Sequence, residues 1–253
     1  MVDIHSHILP GLDDGAQTIE ESLRMLEIAA ASGTTDIVAT PHANGEFRFD
    51  PERAQQLFQD LSGRTVGAIS IHLGCDFHLN YDNLLNAIDN PEKYTINNHQ
   101  YLMLELPDLI ALAAVKSALN QLIGAGIVPI ITHPERNRSL QPELRELERW
   151  IAAGARVQVT AQSLLGRFGA AAQRAADSLM NGNHVHFIAS DAHDCVDRTP
   201  DLAGAYKYVS TKYGARRAEA LFIHNPAATL RGDLLLDVEN IQKKSINRRL
   251  FRK

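Results

Sequence analysis

Histidines and carboxylates recur along this sequence at the ends of segments that have the composition of β-strands. His5 and His7 close the first such segment, in "VDIHSHILPGLDDGA", which also carries Asp13 and Asp14. The later segments end with residues of the same types, namely His42, Asp76, Glu105, His133, Asp191 and His193. Imidazoles and carboxylates without thiolates suit Zn, Mn or Fe. The set therefore predicts a divalent metal site.

Two of the carboxylates stand in strongly apolar sequence, Glu105 in "YLMLELP" and Asp191 in "FIASDAH". An ionised carboxylate in such a strand is costly unless it is paired or bound to a metal. Because the candidates outnumber the ligands of one ion, we expect more than one ion. Clustered divalent ions can generate hydroxide near neutral pH and stabilise both the attacking and the leaving oxygen of a phosphoryl group.

Two arginines follow the candidate ligands closely, Arg136 in "THPERN" and Arg198 in "DAHDCVDR". The planar guanidinium fork matches phosphate oxygens, so both residues are candidates for binding a phosphoryl group. The alternative for each is a surface salt bridge.

The elements that must position these residues alternate between strand and helix patterns. Seven strand candidates are "VDIHSH", "TTDIVAT", "AISIHLG", "YLMLEL", "IVPIIT", "ARVQVT" and "HVHFIAS". Thr18 with Glu21 predicts a capping box, and Asp50 with Pro51 predicts another helix start. A strand spacing of about 30 residues is typical of βα units in a parallel sheet or closed barrel. In a barrel the carboxyl ends share one face, so the candidates would converge there.

Composition narrows the class of protein. The 253 residues are 45% hydrophobic and 22% charged, which is typical of a soluble protein, and the lack of a long Gly-, Pro- or Ser-rich linker favours one domain. No run approaches the roughly 20 apolar residues that span a bilayer. The net charge of -5 argues against a nucleic-acid partner. The start lacks a secretory signal and there are two cysteines, Cys75 and Cys195, so we expect a cytoplasmic protein with free thiols.

The last residues differ from the rest, because six of the eleven in "KKSINRRLFRK" are basic. We treat residues 1–235 as the folded domain and 236–253 as a basic tail. The tail is either a solvated end or a segment that contacts an anionic membrane surface or an acidic partner weakly.

The motifs "DIHSHILPGLDDGA", "ATPH", "LELP", "THPERN" and "FIASDAHD" resemble the polymerase and histidinol phosphatase (PHP) superfamily. More narrowly, they resemble the bacterial metal-dependent protein-tyrosine phosphatases of capsule and exopolysaccharide synthesis, over roughly residues 2–230. The resemblance implies a distorted seven-stranded α/β barrel, similar to a TIM barrel, in a single domain. It also implies three divalent ions, with manganese the first choice and iron or zinc as alternatives.

Carried over residue by residue, the resemblance divides the ligands among three ions. The first ion would take His5, His7, Asp76 and Asp191. The second would take Asp76, Glu105 and His133. The third would take Asp14, His42 and His193. Asp14 is preferred to Asp13 by motif position only. Arg136 matches an arginine implicated in phosphate binding, and Arg198 is a candidate for another.

The chain departs from the family pattern at its third strand. The usual glutamate is replaced by Asp76 in "GCD", one methylene shorter, which leaves its role as a bridge between two ions open. The adjacent Cys75 should point to the opposite side of an extended strand, which favours a structural role.

The resemblance implies hydrolysis of protein phosphotyrosine by in-line attack of a metal-bridging hydroxide, regulating polysaccharide synthesis or export. Cysteine-dependent phosphatases have arginine six positions after the nucleophile, whereas Tyr81 and Asp201 stand at those positions here, which excludes thiol chemistry. The expected partner is a phosphotyrosine protein, with a bacterial tyrosine kinase as one candidate, and self-association is left open. Two alternatives remain: a small-molecule phosphatase of the histidinol phosphate type, and a binding module with structural metals.

Overall fold

Two parallel sheets form the centre of the computed structural model, which describes residues 1–65, 67 and 69–236. The first sheet has the order β1-β2-β4 and consists of β1 (Val2–Ser6), β2 (Asp36–Ala39) and β4 (Ser70–Leu73). The second has the order β3-β5-β6-β7-β8-β9 and consists of β3 (His42–Ala43), β5 (Asp76–His78), β6 (Tyr101–Glu105), β7 (Val128–Thr132), β8 (Arg156–Thr160) and β9 (Phe187–Ala189). The α/β class and the parallel pairing are confirmed.

The second and third predicted strands are each interrupted. Thr40 and Pro41 separate β2 from β3, and Gly74 and Cys75 separate β4 from β5. The N–H of Gly74 donates to the carbonyl of Ala39 at 2.9 Å, so backbone pairing continues into the gap. All seven predicted segments thus contain strands, but His42 begins β3 and Asp76 begins β5, so the prediction that these two residues end strands is wrong.

The first and last strands also approach each other. The N–H of Asp191 donates to the carbonyl of His5 at 2.9 Å, and the N–H of His7 donates to that of Ala192 at 2.8 Å. These bonds join the end of β1 to the segment that follows β9. Closure into a seven-stranded barrel stays a prediction.

Helices connect the strands. They are α1 (Ile19–Ala31), α2 (Pro51–Arg64), α3 (Tyr81–Asp89), α4 (Leu112–Gly124), α5 (Arg145–Ala153), α6 (Ala161–Leu164), α7 (Gly169–Asn181), α8 (Ala203–Tyr213), α9 (Ala215–Glu219) and α10 (Asn225–Arg231), with a π-helical turn at Ala220–His224. Short 3₁₀ turns lie at Pro91–Lys93, Ile96–Asn98 and Gln141–Glu143.

Both predicted helix starts are confirmed. The Thr18 hydroxyl accepts the N–H of Glu21 at 3.2 Å, and Asp50 accepts that of Arg53 at 3.0 Å. Within the described ranges, the helices are all too short or too polar to cross a bilayer. Residues 237–253 of the basic tail lie outside the described part, so the interpretations of the tail stay predictions.

The strands are apolar on both faces. Met103 and Ile130 pack in one buried cluster, whereas their neighbours Leu104 and Ile131 pack in another. This alternation is the period of two expected of a strand covered on both sides. Cys75 is fully buried in the same cluster as Leu104, which agrees with the structural role expected for it.

Candidate metal centre

All nine predicted ligand residues lie close together, although they stand at different positions along their strands and in the loops between them. His5 lies within β1, Glu105 ends β6, and His133 directly follows β7. The residues form four overlapping groups, in each of which the potential ligand atoms lie within 4.8 Å of one another. The groups are His7, Asp14, His42 and His193; His5, His7 and Asp76; His5, His133 and Asp191; and His42, Asp76 and Glu105.

These groups overlap with the three expected ligand sets without coinciding with them. The set expected for the third ion is together in one group, joined by His7. In the set expected for the second ion, Asp76 and Glu105 are grouped with His42, while His133 Nε2 lies 3.6 Å from Glu105 Oε1. The division of ligands among ions stays a prediction.

Buried side chains behind the centre orient the first two histidines. Gln158 Oε1 lies 3.1 Å from His5 Nδ1, and Asp13 Oδ2 lies 2.7 Å from His7 Nδ1. Because both Nδ1 atoms face an acceptor, each ring presents Nε2 to the centre, and the two Nε2 atoms lie 3.3 Å apart. Sequence reasoning missed both supporting roles. Gln158 carries no motif signal, whereas Asp13 lay in the right motif.

The geometry separates the two adjacent aspartates. Asp13 is buried and accepts hydrogen bonds from the His7 ring and from the backbone N–H of His42. Asp14 is half-exposed, and its Oδ1 lies 3.4 Å from the Nε2 atoms of both His42 and His193. Asp14 therefore faces the centre, and Asp13 supports it from behind.

Several buried polar atoms of the centre lack a well-directed hydrogen bond to any described residue. They are both carboxylate oxygens of Asp76, Nδ1 of His42 and Nε2 of His193. Asp76 Oδ2 lies 3.1 Å from His42 Nδ1 and 3.6 Å from His5 Nε2. Unsatisfied donors and acceptors are costly when buried. Their convergence is the arrangement that a bound cation would satisfy.

The electrostatics of the centre also favour a bound cation. Burial opposes protonation of His5, but the carboxylates of Asp76 and Asp191 raise its pKa to about 9. Burial and the nearby Asp76 carboxylate raise the pKa of Glu105 to about 8. The crowded carboxylates thus favour additional positive charge. The donor set and its electrostatics fit divalent metal ions.

The two predicted arginines meet on one carboxylate. Arg198 Nη2 lies 2.7 Å from Asp191 Oδ2, and Arg136 Nη1 contacts the same oxygen. The other oxygen, Oδ1, lies 3.5 Å from His5 Nε2 and 3.6 Å from His7 Nε2. Asp191 thus links the imidazoles to the arginines. Since both arginine side chains are about a quarter exposed, a ligand can reach them.

Comparison with known proteins agrees with this arrangement. CapC of Staphylococcus aureus is 32% identical over 249 residues, which cover 96% of this chain and 94% of CapC. Tyrosine-protein phosphatase YwqE of Bacillus subtilis is 30% identical over 219 residues, 85% of this chain and 86% of YwqE. A crystal structure from work on YwqE and on CpsB of Streptococcus pneumoniae, described as metal-dependent tyrosine phosphatases, superimposes with a TM-score of 0.87 at 28% identity, covering 93% of this chain and 96% of that one.

The family model for capsular polysaccharide synthesis, CpsB/CapC, matches residues 1–231. The match includes every strand of the described residues, all nine residues of the candidate centre and both arginines. The chain belongs to the CpsB/CapC family of capsular polysaccharide synthesis.

Proposed function

We propose that this protein is a metal-dependent phosphatase that hydrolyses phosphotyrosine on proteins and thereby regulates polysaccharide synthesis or export. The observation that carries the proposal is the convergence of nine ligand-type side chains with two arginines at one end of the sheets. The related YwqE is a tyrosine-protein phosphatase, and the chain is similar to it over most of its length. In the family context, a bacterial tyrosine kinase is the substrate we favour.

The two sheets would be parts of one distorted seven-stranded barrel in a domain spanning residues 1–235. Support comes from the backbone bonds that continue across the interruption between β2 and β3 and from those that join β1 to the segment after β9. A barrel accounts for the gathering of residues from distant sequence positions at one face. Two free thiols are in keeping with a cytoplasmic location.

The nine residues would hold three divalent ions, with manganese proposed first and iron or zinc as alternatives. The short distances from Asp76 Oδ2 to the histidine of β1 and to that of β3 support a bridging role for this carboxylate, although its side chain is short. When bound, such ions lower the pKa of water and neutralise negative charge on a phosphoryl group.

The chain's own residues would bind and orient the substrate. Arg136 and Arg198 would offer guanidinium N–H groups to the phosphoryl oxygens, which carry negative charge in the bound substrate and in the transition state. The leaving phenolate has a pKa of about 10, so it departs with less help from an acid than an alkoxide needs. Burial raises the pKa of the Cys75 thiol within an apolar cluster, so this thiol is unsuited to act as the nucleophile.

Exposed apolar residues on the same end favour a protein substrate over a small molecule. Leu109 follows β6 and is 92% exposed, and Val196 follows β9 and is 77% exposed. Asp194 accepts the N–H groups of Val196 and Asp197, which holds the tip of this loop in place. Exposed apolar side chains beside the site could contact a polypeptide substrate.

The test compares turnover of a phosphotyrosine peptide and of histidinol phosphate by protein of known metal content. We expect the peptide to be preferred, chelation to abolish turnover, and Mn, Fe or Zn to restore it. A preference for histidinol phosphate would favour the small-molecule phosphatase. Full activity of protein shown by elemental analysis to be free of metal would overturn the proposal.

A further inference from the structure

The segment after β8 contacts both arginine-bearing loops although it contributes none of the nine candidate ligands. We call residues 161–168, which comprise α6 and the residues after it, the α6 turn. Ser163 Oγ donates to Glu135 Oε1 at 2.7 Å, next to Arg136. Gln162 Nε2 donates to the carbonyl of Asp197 at 3.1 Å, next to Arg198. The α6 turn therefore ties the two loops to each other.

Phe168 ends the α6 turn beneath both guanidinium groups. The Cζ atom of Arg136 lies 4.3 Å from the centre of the Phe168 ring, and that of Arg198 lies 5.9 Å from it. Both distances fall within the range of cation–π attraction, about 6 Å. A guanidinium that packs over the face of a ring can still offer N–H groups at its edge to an anion.

Phe168 is not part of the hydrophobic core. Its side chain is half-buried and lies outside the three apolar clusters formed by the described residues. The backbone around it is closed by the bond from the Arg167 N–H to the carbonyl of Gln162 at 3.0 Å. Its ring thus packs against the arginines without belonging to one of these clusters.

Two adjacent guanidinium groups repel each other, so their placement needs support. Asp191 supplies one support through its Oδ2. A phosphoryl group that binds the arginines would compete with Asp191 for the same N–H groups, whereas the ring face would remain in contact. We propose that Phe168 is a positioning residue that holds Arg136, and more weakly Arg198, in the orientation that binds the phosphoryl group. This inference rests on the proposed phosphatase function.

The first test replaces Phe168 by Leu, which keeps an apolar side chain but removes the aromatic face. Inorganic phosphate is titrated into metal-loaded protein by calorimetry. We expect its Kd to rise about 2- to 30-fold, the range of cation–π strengths, and the KM for a phosphotyrosine peptide to rise with little change in kcat. Metal content and Tm should stay as in the wild type, and Phe168→Tyr should restore binding. Leu165→Ala, in the same turn and 40% exposed, is the matched control.

The second test removes the partner. In an Arg136→Ala background, Phe168→Leu should weaken phosphate binding by less than 2-fold, because the main contact is already gone. An equal effect in both backgrounds, or unchanged phosphate binding in Phe168→Leu alone, would overturn the inference. If the wild-type protein does not hydrolyse phosphotyrosine but Phe168→Leu still weakens phosphate binding, the positioning role is supported and the proposed function is overturned.

Discussion

Asp76 is the residue whose carboxylate would be shared between two ions. It stands where related sequences are expected to have glutamate, and its side chain is one methylene shorter. Asp76 begins β5, directly after the interruption that follows β4. Its Oδ2 nevertheless lies near nitrogens of both His5 and His42. The strand interruption thus places the shorter side chain between two ligand groups.

Asp76→Asn should reduce the number of bound ions and lower kcat, because a negative charge facing two cations is lost. We expect a fall on the order of 10²-fold, comparable to the loss of a preorganised electrostatic group, whereas Asp76→Glu should keep metal and measurable activity. Elemental analysis and steady-state kinetics measure both effects. Asp36→Asn, on β2 beside His72, is the control. Wild-type metal content and kcat in Asp76→Asn would show that Asp76 is not a ligand.

The adjacent aspartates should respond differently to the same change. Asp14→Asn should lower the number of ions bound at saturation, because its Oδ1 faces two imidazoles in the centre. Asp13→Asn should keep that number but weaken metal affinity about 10- to 100-fold, as expected for a residue that orients a ligand. Metal titration followed by elemental analysis separates the two effects. The reverse pattern would exchange their roles.

At the scale of elements, the loop after β1 depends on one glycine. A Cβ atom at Gly15 would overlap the carbonyl oxygen and the Cβ of His7. The Gly15 N–H also donates to Asp13 Oδ1 at 3.0 Å. Only glycine allows the loop to return this closely to the backbone of a candidate ligand.

Gly15→Ala should therefore lower Tm and metal content together, because the loop must move away from His7 to admit the methyl group. Gly45→Ala is a matched control, since a Cβ atom there meets nothing within 4 Å. Thermal unfolding and elemental analysis of the two variants test this expectation. Normal Tm and metal content in Gly15→Ala would contradict the close packing.

At the scale of the molecule, the site and the last described residues lie at different ends of the sheets. Glu105, at the carboxyl end of β6, belongs to the metal centre. Tyr101, at the amino end of the same strand, donates its hydroxyl to the carbonyl of Asp233 at 2.6 Å. Leu234, next to Asp233 in the chain, therefore lies near the amino end of β6, whereas Leu109 comes just after its carboxyl end. The two leucines are 91% and 92% exposed.

This difference permits a matched test of substrate docking. Leu109→Ser and Val196→Ser should each lower kcat/KM for a phosphotyrosine protein by about 5-fold, the equivalent of a 1 kcal/mol interface contact. Their activity on p-nitrophenyl phosphate should stay unchanged, because that substrate is too small to contact the loops. Leu234→Ser should change neither activity. Equal losses on both substrates would indicate disturbance of the centre instead of docking.

The sequence by itself determined which residues are candidate ligands and where the strand segments lie. A carboxylate in an apolar strand is costly unless it has a partner, so Glu105 and Asp191 could be identified as candidate site residues from the sequence alone. The helix caps at Thr18 and Asp50 could also be predicted, because each cap bonds to a residue only three positions further along the chain.

Only the tertiary structure decided which side chains meet. The contact of Asp13 with His7, the contact of Gln158 with His5, the place of Phe168 beneath two arginines and the breaks in the second and third strands were not predictable from the sequence. Contacts such as that of Gln158 with His5 join residues far apart in the chain, and local periodicity carries no information about such distances. Packing of the sheets and loops selects the partners, and with them the atoms of each side chain that face the centre.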